Sequence, residues 1–126
     1  MPAKIVYSQS TQEYWFKEGC YIQEIGNNAD DPDVSIARAR VRPGEQTSWH
    51  RLEGVIERYL IVAGSGTVEI GDLEPTCVSS GDLVLIPAGV RQRIRNDGSD
   101  DLVFYAICSP RFSADCYHGP EDVDGG

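Results

Sequence analysis

The hydrophobic and polar positions of this chain fall into short strand-like runs. SIARARV at 35–41 alternates and stops at Pro43-Gly44, a turn pair. GVIERYLIVAGSGTVEIGD at 54–72 carries β-branched stretches split by Gly64-Ser65-Gly66. DLVLIP at 82–87 is apolar and closes at Pro87-Ala88-Gly89, RQRIRN at 91–96 alternates, and LVFYAIC at 102–108 stops at Ser109-Pro110. No window of this core keeps a 3.6-residue apolar period over a helical length. One exception is STQEYWFKE at 10–18, which can hold a short helical turn capped by Ser10, or place Tyr14, Trp15 and Phe16 in an edge strand or lid. Many short strands with Gly/Pro punctuation predict an all-β chain, an antiparallel barrel or sandwich. No internal repeat or linker divides it, so residues 1–126 read as a single domain. Its core spans about 34–110, with 1–33 as N-terminal strands and arm and 111–126 as an acidic C-terminal tail.

The alternation also assigns faces, because successive side chains of a strand point to opposite sides. Arg91, Arg93 and Arg95 share one face and Gln92, Ile94 and Asn96 the other; three arginines are poor candidates for burial, so Gln92 points inward. An inward amide needs a partner, which core backbone, a water, a substrate or a metal can supply. Ala37, Ala39 and Val41 look like the inner set of their strand, which turns Arg38, Arg40 and Arg42 outward; facing inward, those arginines would instead make an anion pocket. Leu102, Phe104, Ala106 and Cys108 form the better core face of the last strand, with Cys108 either lining a pocket or buried as an inert thiol.

Candidate chemistry centres on WHRLEGVIE, since the chain has only two histidines, His50 and His118. A two-residue turn at Glu53-Gly54 would oppose His50 to Glu57, with Cβ atoms about 4.5–5.5 Å apart. His50, Leu52, Val55 and Glu57 would then share a face, extended by Tyr59, whose hydroxyl either reaches a ligand or is paired in the core. An imidazole and a carboxylate so placed can bind a divalent metal, act as an acid/base couple, or form a hydrogen bond that holds the sheet. His118 lies in DCYHGPED, a polar stretch where a surface histidine is expected, and is left out of the candidate ligands.

Net charge narrows the partners. With 20 acidic against 11 basic residues the chain carries −9, which opposes nucleic acid and anionic membrane, both of which need a positive footprint. Much of the acidity sits in NNADDPD at 27–33, read as a solvated loop, and in EDVDGG at 121–126, read as a frayed end. The four cysteines, at 20, 77, 108 and 116, have no C-x-x-C spacing and read as free thiols. Without a signal-peptide pattern or a long apolar run, the expectation is a soluble cytoplasmic protein.

Two segments together resemble the cupin superfamily. PGEQTSWHRLEGVIERYLIVAG is similar to its first signature, with Gly44, His50, Glu57 and Gly64 in register. GDLVLIPAGVRQRIRN is similar to the second, with Gly81, Pro87, Gly89 and Asn96 in register. The resemblance implies a cupin-type antiparallel β-barrel or jelly roll (a double-stranded β-helix) with an internal pocket, and pairing into a homodimer as in many relatives. In metal-binding cupins the ligands are two histidines and a glutamate of the first signature and a histidine of the second. Here Leu52 and Gln92 stand at two of those histidine positions. The implied metal set is therefore His50, Glu57 and Gln92, a depleted donor group for Mn, Fe, Ni or Zn.

Three functions follow as expectations. The first is an enzyme acting on a small polar metabolite with a divalent metal on the reduced set. The second is a metal-free isomerase, epimerase or lyase with His50 and Glu57 as catalytic acid and base. The third is a non-catalytic module that binds a sugar or small acid. In each, Gln92, Tyr59, Leu52, Phe104 and Cys108 line the pocket.

Overall fold

The strands form where the alternation and the Gly/Pro stops place them. The structure, a computed structural model, describes residues 1–120. Its strands are β1 (Tyr14–Phe16), β2 (Cys20–Gly26), β3 (Ser35–Val41), β4 (Arg51–Leu52), β5 (Ile56–Ala63), β6 (Ser65–Ile70), β7 (Thr76–Ser79), β8 (Leu83–Ile86), β9 (Gln92–Arg95), β10 (Leu102–Ser109) and β11 (Tyr117–His118). The six-stranded sheet has the order β1-β2-β3-β10-β5-β8, the three-stranded sheet is β7-β6-β9, and β11 pairs with β4. All pairings are antiparallel. This is the all-β, double-stranded β-helix expected from the sequence. No helix among the described residues is long and apolar enough to cross a membrane.

The core lies between the two larger sheets. Ala39, Val41, Tyr59, Ile61, Leu102 and Phe104 from one meet Val68, Ile70 and Ile94 from the other. Burying such side chains stabilises the fold by about 1.5–3 kcal/mol for each large one. A second, smaller cluster holds Leu52, Val55, Cys108 and Cys116, with Phe112 and Tyr117 against it. The arginines of β3 turn outward. Arg40 bonds Glu13 at 2.7 Å and Asp101 at 3.1 Å, and its guanidinium lies over the Tyr21 ring. Gly64 turns β5 into β6 at φ +80°, where a Cβ would stand 2.6 Å from the Asp101 carbonyl oxygen, so only glycine fits.

Three local expectations need correction. Of the two readings of residues 10–18, the helical turn capped by Ser10 does not form and the edge strand does: a 3-10 turn covers Ser8–Ser10, and Tyr14–Phe16 form β1. Side-chain pairing across Phe16/Cys20 and Tyr14/Ile22 outweighs the weak local cap. Glu53-Gly54 does not close a hairpin between β4 and β5. Instead β4 pairs with β11, while β5 lies between β10 and β8. His50 therefore opposes Gln92, exchanging backbone hydrogen bonds of 3.1 and 2.8 Å, and Glu57 opposes Cys108 and Ile86. Finally, residues 111–118 are not a free tail: Ala114–Cys116 make a 3-10 turn, and β11 follows. Arg111 Nε donates to Asn27 Oδ1 at 2.8 Å, and Asn27 Nδ2 donates to the Phe112 carbonyl at 3.0 Å. The expected frayed end at 121–126 lies outside the described residues.

Candidate functional site

A small cleft, about 60 Å³ in volume, opens beside Glu57. Its walls are Tyr14, Phe16, Glu18, Ile22 and Glu24 from the N-terminal arm, Ser35 and Ala37 from β3, and Ala106, Cys108 and Phe112 from β10 and the segment after it. Of the catalytic, metal and pocket candidates read from the sequence, Glu57 and Cys108 line this cleft. Tyr59, Gln92, His50 and Phe104 are buried away from its walls, and Leu52 packs in the smaller apolar cluster.

Alternation along β5 turns Glu57 and Tyr59 into the interior, and the bridge at His50/Gln92 brings the opposing wall to them. The Tyr59 hydroxyl donates to Gln92 Oε1. Gln92 is completely buried and Glu57 is 8% exposed, yet among the described residues Gln92 Nε2 and Glu57 Oε1 complete no hydrogen bond. The Cys108 thiol reaches Glu57 only weakly, to Oε2 at 3.8 Å. An unsatisfied buried oxygen costs about 1–3 kcal/mol, so a site that keeps one is a candidate for an incoming donor.

Burial is the main cause that pushes the Glu57 carboxyl up to about 7; the nearby charge of Glu18 adds to it, while His50 and Gln92 oppose it. Glu18 and Glu24 are also pushed above the usual carboxylate range by burial. Burial likewise raises the thiols of Cys20 and Cys108 and the phenol of Tyr59, which stay neutral.

Glu18 is the group the sequence reading missed. It sits in the turn between β1 and β2, where Gly19 N–H donates to the Phe16 carbonyl at 3.0 Å. Gly19 holds φ +107° with the Gln46 carbonyl 3.2 Å from its would-be Cβ, so the turn is pressed against the loop that carries His50. Ser48 N–H donates to the Glu18 carbonyl at 2.7 Å, and the Ser48 carbonyl accepts His50 Nδ1–H at 2.7 Å. His50 Nε2 then lies 3.5 Å from Glu18 Oε2. Among the described residues the ion pair of His50 is with Glu18, not Glu57. Tyr117 stacks on the imidazole at 5.4 Å and 18°. A signal for Glu18 existed: Phe16, Glu18, Cys20, Ile22 and Glu24 repeat with period two along the arm. Tyr117 had none, because its place depends on a two-residue ladder with β4.

These donors do not fit the divalent metal that many cupins hold. The Gln92 oxygen already accepts the Tyr59 hydroxyl, and Leu52 has no donor atom and is enclosed by Val55, Cys108 and Cys116. Among the described residues, no three His, Cys, Asp or Glu side chains gather where they could share an ion. His118 lies elsewhere, its Nε2 3.0 Å from Glu53 Oε2.

Comparison with known proteins places this architecture. An uncharacterised protein of Methanocaldococcus jannaschii is 27% identical over 97 residues, covering 77% of this chain and 83% of that protein. An oxalate-binding protein of Thermotoga maritima is 31% identical over 72 residues, 57% of this chain and 59% of its own length. The Streptomyces nucleoside dehydratase Pac13 superposes with a TM-score of 0.78 at 16% identity, over 94% of this chain and 92% of that one. Residues 37–108 match the cupin domain, a stretch that holds both signatures, the bridge at His50 and Gln92, and Glu57. The chain belongs to the cupin family.

Proposed function

We propose that this cupin binds a small polar metabolite in the cleft beside Glu57 and acts on it by proton transfer, as an isomerase, epimerase or lyase. The observation that carries this reading is Glu57 itself: buried, lining the cleft, with Oε1 unpaired and its carboxyl pushed up to about 7. A group that titrates near neutrality serves as base in one step and acid in the next. Glu18 is the second cleft-facing proton carrier. His50 stands behind it as its positioning partner and charge balance, held by Ser48. Tyr59 orients Gln92, whose side-chain amide favours the ionised form of Glu57.

The likeness to Pac13, a nucleoside dehydratase, supports the reading at the level of the scaffold. Dehydration takes a proton from carbon and delivers one to a departing hydroxyl, which needs a base and an acid on one small pocket. The reading predicts solvent deuterium in a ligand incubated with the protein. A pooled set of small metabolites in D2O, followed by NMR, should show incorporation into at least one compound with the wild type. Glu57→Gln keeps size and polarity and should abolish it. Undiminished incorporation in that variant would remove Glu57 from the chemistry.

A further inference from the structure

The charge lining the cleft is one-sided. Glu18, Glu24 and Glu57 all face it, and no Lys, Arg or His is among its described lining residues. The arginines nearest in sequence to Ala37 turn away: Arg40 is taken by Glu13 and Asp101, and Arg38 lies 3.5 Å from Glu13. His50 is 2% exposed and covered by Tyr117, so it balances Glu18 from behind and offers nothing to a ligand in the cleft. Three carboxyls facing one space repel one another as they ionise, which favours either a bound proton or a positive charge between them. Glu57 Oε1 adds a second mark, since among the described residues it is buried without a hydrogen-bond partner. The remaining walls are Tyr14, Phe16 and Phe112, with Ile22 and Ala106. Aromatic faces beside carboxylates suit a cation on an apolar body.

We propose that the ligand of this cleft is a small organic cation, a protonated amine carrying an apolar or aromatic body, with the ammonium held by Glu57 and Glu24 and the body against Phe16 and Phe112. The proposal rests on the reading that the cleft beside Glu57 is the ligand site. It sets this chain apart from its oxalate-binding relative, because a dicarboxylate here would meet three acidic side chains and no cation.

A matched trio tests it: benzylamine, benzyl alcohol and benzoate share one ring and differ in charge. Titrated at pH 7 and followed by the methyl resonances of Ala37 and Ala106, benzylamine should bind at least about tenfold tighter than benzyl alcohol, and benzoate should not saturate. Glu24→Gln should shrink the gap between amine and alcohol by about threefold or more. Should that variant fail to fold, the wild-type ranking decides alone. Benzoate binding as tightly as benzylamine, with loss of binding in Glu57→Gln, overturns the cation while leaving the ligand site in place. Absence of binding by all three overturns both.

Discussion

Glu18 and His50 are fixed to one another through a single residue. Ser48 donates its N–H to the Glu18 carbonyl and accepts His50 Nδ1–H on its own carbonyl, each at 2.7 Å, which leaves Nε2 3.5 Å from the Glu18 carboxylate. A carbonyl can only accept, so Nδ1 carries a proton in every state of the ring. The neutral imidazole is therefore the Nδ1–H tautomer, with its lone pair on Nε2 toward Glu18. Nitrogen-15 correlation spectra, recorded at a pH where the ring is neutral, should show Nδ1 as the protonated nitrogen. A protonated Nε2 in the neutral ring would break the Ser48 assignment.

Glu57 makes stability depend on pH in an unusual direction for a carboxylate. Burial, as the largest cause, lifts its carboxyl from the ordinary 4.5 to about 7, so the folded state holds the proton more tightly than the unfolded chain. This contribution is complete below about 4.5 and is lost as pH rises toward and through about 7. The loss should be roughly 3 kcal/mol, at 1.36 kcal/mol for each unit of displacement. Glu18 and Glu24 shift in the same sense. Urea unfolding at pH 5 and pH 8 should show the wild type losing more stability on going alkaline than Glu57→Gln, whose amide does not titrate. Equal slopes for the two proteins would refute it.

The strands were legible because period-two alternation and Gly/Pro stops are local. SIARARV, LVFYAIC and RQRIRN fold as β3, β10 and β9 with Ala39, Phe104 and Gln92 inward and Arg38, Arg93 and Arg95 outward. The inward turn of His50, Leu52, Glu57 and Tyr59 was legible for the same reason. The partner of His50 was not. Whether it faces Glu57 across a hairpin or Gln92 across the barrel depends on strand pairing, and pairing is decided by contacts distant in sequence. Glu18 and Tyr117 reach the site from the two ends of the chain through a turn and a two-residue ladder. Such short elements take their geometry from the core they rest on, so their side chains cannot be placed from local pattern alone.

Leu52 and Gln92 explain why the site holds no adequate metal set, and reversing them should restore one. Wild-type protein purified without an affinity tag that binds metal should carry less than about a tenth of an equivalent of Mn, Fe, Ni, Zn or Cu. Gln92→His replaces an occupied amide with an imidazole, and Leu52→His adds another beside it. The double variant should take up close to one equivalent, read by elemental analysis after dialysis. It should also lose about 2–4 kcal/mol of stability without metal, because Leu52 is 3% exposed among apolar neighbours. Stoichiometric metal in the wild type would show that a donor other than these completes the set.

Tyr117 should control access to His50. Its ring stacks on the imidazole at 5.4 Å, Phe16 meets it edge-on at 5.2 Å, and Lys17 Nζ lies 4.8 Å from its centroid. Aromatic contacts of this kind are worth about 0.5–1.5 kcal/mol each beyond the area they bury. Tyr117→Ala should therefore cost about 1–3 kcal/mol and leave one face of His50 bare. The chain's second histidine provides an internal reference, since His118 is 26% exposed in its side chain against 2% for His50. In the wild type, diethylpyrocarbonate should modify His118 well before His50. In Tyr117→Ala the His50 rate should rise at least about tenfold while the His118 rate changes little, resolved by peptide mass spectrometry. If the two rates rise together, the substitution has loosened the β4–β11 ladder as a whole. Unchanged rates at both sites would mean that the barrel wall, and not the Tyr117 ring, is what shields His50.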